Sequence, residues 1–165
     1  MRIFLVRHGD ADAEIPEGLG DEARALTSKG RLQLREHFTS LAERIGPVQL
    51  VLTSPLVRAV QTASILSAVI HHEGPLRAHR SLLPDMPVGS MDSVVNQYAG
   101  ENLILVGHSP SMGAMAAHLM GVQPFPKQVS PGTVIALEKD DTGTAPARLL
   151  FYAGVGQPLL EQLDR

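Results

Sequence analysis

Residues 2–9 read Arg2-Ile3-Phe4-Leu5-Val6-Arg7-His8-Gly9. Four apolar residues in a row stop abruptly at an arginine, a histidine and a glycine. A short apolar run without strict alternation is the pattern of a strand covered on both faces. Residues 49–53 (QLVLT) and 102–106 (NLILV) repeat it. Helical patterns lie between these runs. Thr27 is placed to cap a helix reaching about residue 44, with Leu32, Leu34, Phe38, Leu41 and Ile45 as its apolar positions. Ser54 is placed to cap a second helix, with Pro55 at its first position, running to about residue 70. Ser109 and Pro110 repeat that arrangement before a third helix ending near Gly121. Residues 91–98 read as a short extra helix. Residues 133–138 and 147–153 read as strands, antiparallel across a turn at residues 140–143, and 143–147 (GTAPA) is a turn and not a linker. Strands alternating with helices predict one α/β domain over residues 1–165, a three-layer α/β/α fold with a mostly parallel central sheet.

Composition narrows the function. The chain has 165 residues, 44% hydrophobic and 19% charged, ordinary for a globular domain with a real core. No apolar run reaches the roughly 18 residues of a membrane helix, and the opening apolar run is too short for a signal peptide. The absence of cysteine excludes disulfides and thiolate metal sites and fits a cytoplasmic setting. Net charge is -3, the lysines (Lys29, Lys127, Lys139) are scattered, and tryptophan is absent. Nucleic acid and membrane are therefore poor partners. A monomer is expected.

In an open α/β sheet, ligands bind beyond the carboxyl ends of the strands. The first strand ends in Arg7-His8-Gly9, the second runs through Ser54 to Arg58, and the third runs into Gly107-His108-Ser109-Pro110. If these strands are parallel neighbours, two histidines and two arginines meet at one edge. Helix N-termini opening at Ser54 and Ser109 would point at the same edge with their free N–H groups. Such a place suits a phosphate dianion, held bidentately by guanidiniums. At an effective dielectric near 20, each unit charge pair at about 4 Å is worth roughly 4 kcal/mol before desolvation. A neutral imidazole is a competent phosphorus nucleophile, and positioning with electrostatics can carry phosphoryl transfer without a metal or other cofactor. Gly9 would let the backbone turn and approach the ligand.

Arg7-His8-Gly9, the stretch Ser54-Pro55-Leu56-Val57-Arg58-Ala59-Val60-Gln61-Thr62-Ala63, and Val106-Gly107-His108 occur in that order on the predicted elements. Leu26-Thr27-Ser28-Lys29-Gly30 supplies an L-T-x-x-G stretch at the first helix. Together they resemble the histidine phosphatase superfamily, the phosphoglycerate-mutase-like group. The short length and the missing mid-chain insertion are most similar to its SixA-type phosphohistidine phosphatases. The resemblance implies that His8 is a nucleophile that becomes transiently phosphorylated. It implies that Arg7 and Arg58 clamp the phosphate and that His108 donates to the phosphoryl oxygens. Ser109, next to His108, is expected as a further phosphate contact. The resemblance points to a phosphohistidine protein as substrate, with a small phosphomonoester as the enzymatic alternative and a phosphate-binding module as the non-enzymatic one.

Two departures matter. Many members carry threonine two residues after RHG; here that position is Ala11. Larger members place an acidic residue further along, and the nearest candidate is Asp85, with Asp10, Asp12, Glu14 and Glu17 as rivals. An alkoxide leaving group needs a proton badly, whereas an imidazole leaving from phosphorus needs much less help.

Other patterns read as bland. His71, His72, Glu73 and His79 sit at a helix end and the following loop without metal-ligand spacing, and Gly154-Val155-Gly156 lacks the third glycine of a dinucleotide loop. Gly107-His108-Ser109-Pro110-Ser111 approaches a serine-hydrolase elbow, but Pro110 removes the N–H an oxyanion hole needs.

Overall fold

The computed structural model describes residues 1–141 and 144–164. Strand β1 is Arg2–Arg7, helix α1 Ser28–Ile45, β2 Leu50–Thr53, α2 Val57–Val69 and β3 Leu76–Ala78. Next along the chain come α3 Val88–Gln97, β4 Leu103–Gly107, α4 Ser111–Met120, β5 Val134–Glu138 and β6 Arg148–Ala153. The strands form one sheet in the order β3-β2-β4-β1-β5-β6. β4 is parallel to both β1 and β2, and β3 is parallel to β2. β5 runs antiparallel to β1 and to β6. The expected hairpin-like pairing of the late strands is present. The turn expected at residues 140–143 reaches Thr142 and Gly143, which lie outside the described residues, as does the first residue of the 143–147 segment.

The apolar runs lack alternation because both faces of the sheet are covered. Phe4 and Val6 of β1 pack with Leu34, Phe38 and Ile45 of α1 and Ala59, Ala63 and Leu66 of α2. Ile3 and Leu5 point the other way, toward Met91 and Val95 of α3 and Met112, Met115 and Leu119 of α4. This gives the three layers. Each fully buried Leu or Phe contributes roughly 1.5–3 kcal/mol of transfer free energy.

Helix α1 begins as its sequence predicts: Thr27 Oγ1 accepts from Gly30 N–H at 2.8 Å. Gly30 itself is required by a close approach. A Cβ there would lie 2.4 Å from the Asp10 carbonyl oxygen, so the loop after β1 can rest on α1 only over a glycine. Leu34, Phe38, Leu41 and Ile45 form the buried face, but Leu32 is exposed. Two residues from Leu34 is more than half a helical turn, which puts Leu32 on the solvent side. The helix stops at Gly46, whose φ of 65° suits glycine.

Other helix starts differ from their sequence reading. Ser54 and Pro55 do not start α2. The ladder continues through Ser54, whose N–H donates to Val106 O at 2.9 Å, so the chain is still extended there and the helix begins at Val57 without a side-chain cap. Likewise α4 begins at Ser111, and Ser109 is an exposed residue two positions ahead of it that caps nothing. Strand β3 is an addition to the expected elements. It is a three-residue edge strand, largely exposed, with no apolar pattern to reveal it. Among the described residues no helix is long and apolar enough to cross a membrane.

Candidate active site

Strand order makes the site. β4 lies between β1 and β2, with Arg7 opposite Gly107 and Thr53 opposite Val106. The residues just past these pairs are His8, His108 and Ser54, and His8 N–H extends the ladder to Gly107 O at 3.0 Å. The two imidazole rings face each other with centroids 5.2 Å apart and planes tilted by 57°. Both are buried, His8 at 8% and His108 at 3% exposure. They border a cavity of about 300 Å³ together with Arg7, Arg24 and Arg58. Asp10, Ala11, Pro84, Ser109 and Pro131 complete its wall. A larger hollow of about 600 Å³ lies against α4, but its lining among the described residues does not gather this chemistry.

Each polar residue of the long motif at the start of α2 has its own contact. Arg58 reaches the cavity. Thr62, fully buried one turn later, accepts from Gly9 N–H at 3.0 Å while donating to Arg58 O at 2.8 Å. Gln61 accepts from Leu26 N–H at 2.8 Å and so pins the segment ahead of α1. These contacts hold the loop after β1 against α2. Gly9 is therefore a structural residue behind the cavity, not a lining residue as expected. Its Cβ would lie 2.5 Å from Leu34 Cδ1. Its carbonyl, in turn, accepts from His8 Nδ1 at 2.7 Å.

That bond decides which His8 nitrogen is reactive. The carbonyl can only accept, so Nδ1 carries the proton and Nε2 keeps the ring's free lone pair. Burial, then the Arg58, Arg7 and Arg24 charges, pull the His8 pKa down to about 4 against the favourable Gly9 contact. Burial, the neighbouring His8 and Arg58 lower that of His108 to about 3. Both rings are neutral near pH 7.

These depressed values link stability to pH. Between pH 6.5 and about 4 the unfolded chain binds protons these rings do not, so stability falls as pH falls. We expect the urea midpoint to be level with respect to these two groups above pH 6.5 and to decline from there toward pH 4. Replacing both histidines by asparagine should flatten that decline; an unchanged slope would show the rings titrate normally.

The arginines are held in place. Arg7 Nη1 donates to Val129 O at 2.8 Å. Arg58, 5% exposed, donates from Nη1 to Asp21 O at 3.0 Å and from Nη2 to Asp21 Oδ2 at 3.1 Å. Arg24 Nε meets the other Asp21 oxygen at 2.7 Å, and its Nη1 donates to Asp12 O at 2.9 Å. Asp21, on a short 3-10 turn at Asp21–Ala23, thus bridges two cavity arginines. Arg24 first and Arg58 second hold its carboxyl below the ordinary range. Sequence reasoning missed both Asp21 and Arg24. The one available signal was an arginine two residues before the Leu26-Thr27 stretch.

Of the proposed acids, Asp85 does not reach the cavity. It is exposed, at φ 69°, in the turn after Pro84, a place where aspartate is tolerated. Asp10 is the carboxylate in the cavity wall, and its Oδ2 accepts from Thr27 Oγ1 at 3.3 Å. Ala11 lines the wall without the hydroxyl a threonine would bring, and Ser109 lines it from the β4 side.

The model of the histidine phosphatase superfamily (branch 1) matches residues 3–84, which carry Arg7, His8, Arg24 and Arg58. The chain belongs to the histidine phosphatase superfamily. It is a phosphatase of that superfamily. An uncharacterised Picosynechococcus protein is 32% identical over 123 residues, 70% of this chain and 71% of that one. Phosphohistidine phosphatase SixA of Escherichia coli (strain K12) is 24% identical over 146 residues, 87% and 88% of the two chains. The solved structure of the protein histidine phosphatase SixA complexed with tungstate superposes with a TM-score of 0.82 at 23% identity. The match covers 92% of this chain and 96% of that one. The α/β/α fold is thus that of the superfamily.

Proposed function

We propose that this phosphatase works through a phosphohistidine intermediate on His8 and removes phosphate from phosphohistidine in a protein. The observation that carries the reading is the state of His8: neutral, with Nδ1 engaged by Gly9 O, in a cavity walled by three guanidiniums. Nε2 attacks phosphorus as the bond to the leaving nitrogen breaks. The positive charge that develops on the His8 ring is met by the Nδ1–H contact to Gly9 O. Arg7, Arg58 and Arg24 balance the equatorial oxygens, with His108 beside them. Water then attacks phosphorus, the Nε2–P bond breaks, and inorganic phosphate leaves with His8 neutral again. The arginines supply the positive charge, so the scheme uses no metal.

The acids bear on the leaving group. The cavity's carboxylate, Asp10, is tied to Thr27, and Asp85 lies outside. An imidazole already protonated on its distal nitrogen departs neutral and needs no acid, whereas an alkoxide does. The similarity to SixA, named a phosphohistidine phosphatase, supports the same substrate class. The test measures phosphate release from a phosphohistidine-bearing phosphotransfer protein and from a panel of small phosphomonoesters. Faster release from the protein, by kcat/KM, is expected. Preference for an ester would overturn the substrate assignment. Retention of the phosphoprotein without release would overturn the hydrolytic one.

A further inference from the structure

We propose that Ser54 is a positioning residue that holds His108 in its Nδ1–H tautomer, so that Nδ1 presents a hydrogen-bond donor to the transferring phosphoryl group. This rests on the reading of the cavity as a phosphoryl site and assigns Ser54, which no sequence pattern separates from a helix cap, a part in it. Ser54 is fully buried, and its backbone is fixed by the bond to Val106 O. Its Oγ accepts from Leu56 N–H at 3.3 Å and lies 2.8 Å from His108 Nε2. Among the described residues, the hydroxyl proton reaches no acceptor other than that nitrogen. At the far side of the ring, His108 Nδ1 is buried and has no partner among the described residues.

The two tautomers account differently for these groups. If Nε2 carried the proton it would donate to Ser54 Oγ. The hydroxyl hydrogen would then lack an acceptor, and the Nδ1 lone pair would be buried unpaired. If Nδ1 carries the proton, Ser54 donates to Nε2 and still accepts from Leu56, and every group but one is satisfied. Burying a polar group without a partner costs free energy, so the arrangement with fewer orphans is favoured. The one remaining orphan is the Nδ1–H donor. It belongs to a ring lining a cavity built for an anion, where a donor is useful and a lone pair would repel phosphoryl oxygens. Burial and the neighbouring His8 and Arg58 keep this ring uncharged, so its donor is set by tautomer and not by protonation.

The test reads the ring nitrogens of His108 directly, in two-bond proton–nitrogen correlation spectra of the ligand-free protein at pH 7. Wild type is expected to show a pyrrole-type Nδ1 and a pyridine-type Nε2. Saturating inorganic phosphate should shift Nδ1 more than Nε2. In Ser54→Ala the two nitrogens should move toward averaged values, with kcat lowered at least about tenfold. A pyrrole-type Nε2 in wild type overturns the proposal, as does an unchanged tautomer in a folded Ser54→Ala protein. The spectra need no turnover. A protein that fails to release phosphate therefore counts against the His8 reading, and a wrong tautomer counts against this one.

Discussion

Substituting His8 with alanine is expected to lower phosphate release by about four orders of magnitude or more, and to abolish formation of an acid-labile, base-stable phosphoenzyme. The size reflects the division of labour in the cavity. Arg7, Arg24, Arg58 and His108 can bind and polarise a phosphoryl group, but none offers a free nitrogen lone pair in line with it. Removing a nucleophile leaves only binding and electrostatic stabilisation, which in comparable covalent mechanisms is a small remnant of the rate. Alanine also removes the Nδ1–H contact to Gly9 O, yet Gly9 remains fixed through Thr62, so the loop should persist. Quenched-flow trapping of the phosphoenzyme, alongside steady-state release, checks both parts. Undiminished release from His8→Ala would sink the mechanism.

Arg58→Ala carries the second-largest effect. Arg58 is buried, its Nε has no partner among the described residues, and its two outer nitrogens contact Asp21, a half-exposed residue. A pair with one partner in water adds little stability. The side chain is therefore kept for the ligand. We expect kcat/KM to fall by about 10²–10³-fold, the usual cost of removing one preorganised donor to a developing oxyanion. The thermal midpoint should move by no more than about 4 °C. Arg58→Lys should recover only part of the loss, because a point charge cannot reproduce the planar fork that meets both Asp21 and a phosphoryl oxygen. A large drop in thermal stability with catalysis intact in the surviving protein would contradict this assignment.

Sequence alone carried the reading a long way. Apolar runs such as Ile3-Phe4-Leu5-Val6 and Leu103-Ile104-Leu105-Val106 announce strands covered on both faces, since a strand buried on both sides is apolar at every position and the runs are too short for a buried helix. The spacing of Leu34, Phe38, Leu41 and Ile45 announces α1, and Thr27 its start. Arg7, His8 and His108 were legible because each ends a strand or lies directly beyond one whose carboxyl end faces the ligand edge, and Arg58 because it stands in the first turn of the helix that starts from that edge. A residue directly after a buried strand has to emerge at that strand's end.

Tertiary structure decided the rest. That His8 and His108 face each other at 5.2 Å depends on β4 pairing between β1 and β2, and no local pattern encodes which strands are neighbours. Asp21 and Arg24 sit in an irregular loop whose composition is that of any solvated segment; only its docking on α2 makes Asp21 the partner of Arg58 and brings Arg24 to the cavity. Asp85 reads as an acid in a plausible place, but a left-handed turn after Pro84 leaves it outside the wall. Ser54 shows the difference most plainly. Ahead of a proline and a helix it has the chemistry of a cap, and one more rung of β-ladder carries its hydroxyl to His108 instead. Local propensity determines which element forms; long-range pairing determines which side chains then meet, because contact across a sheet depends on strand order and register, not on distance along the chain.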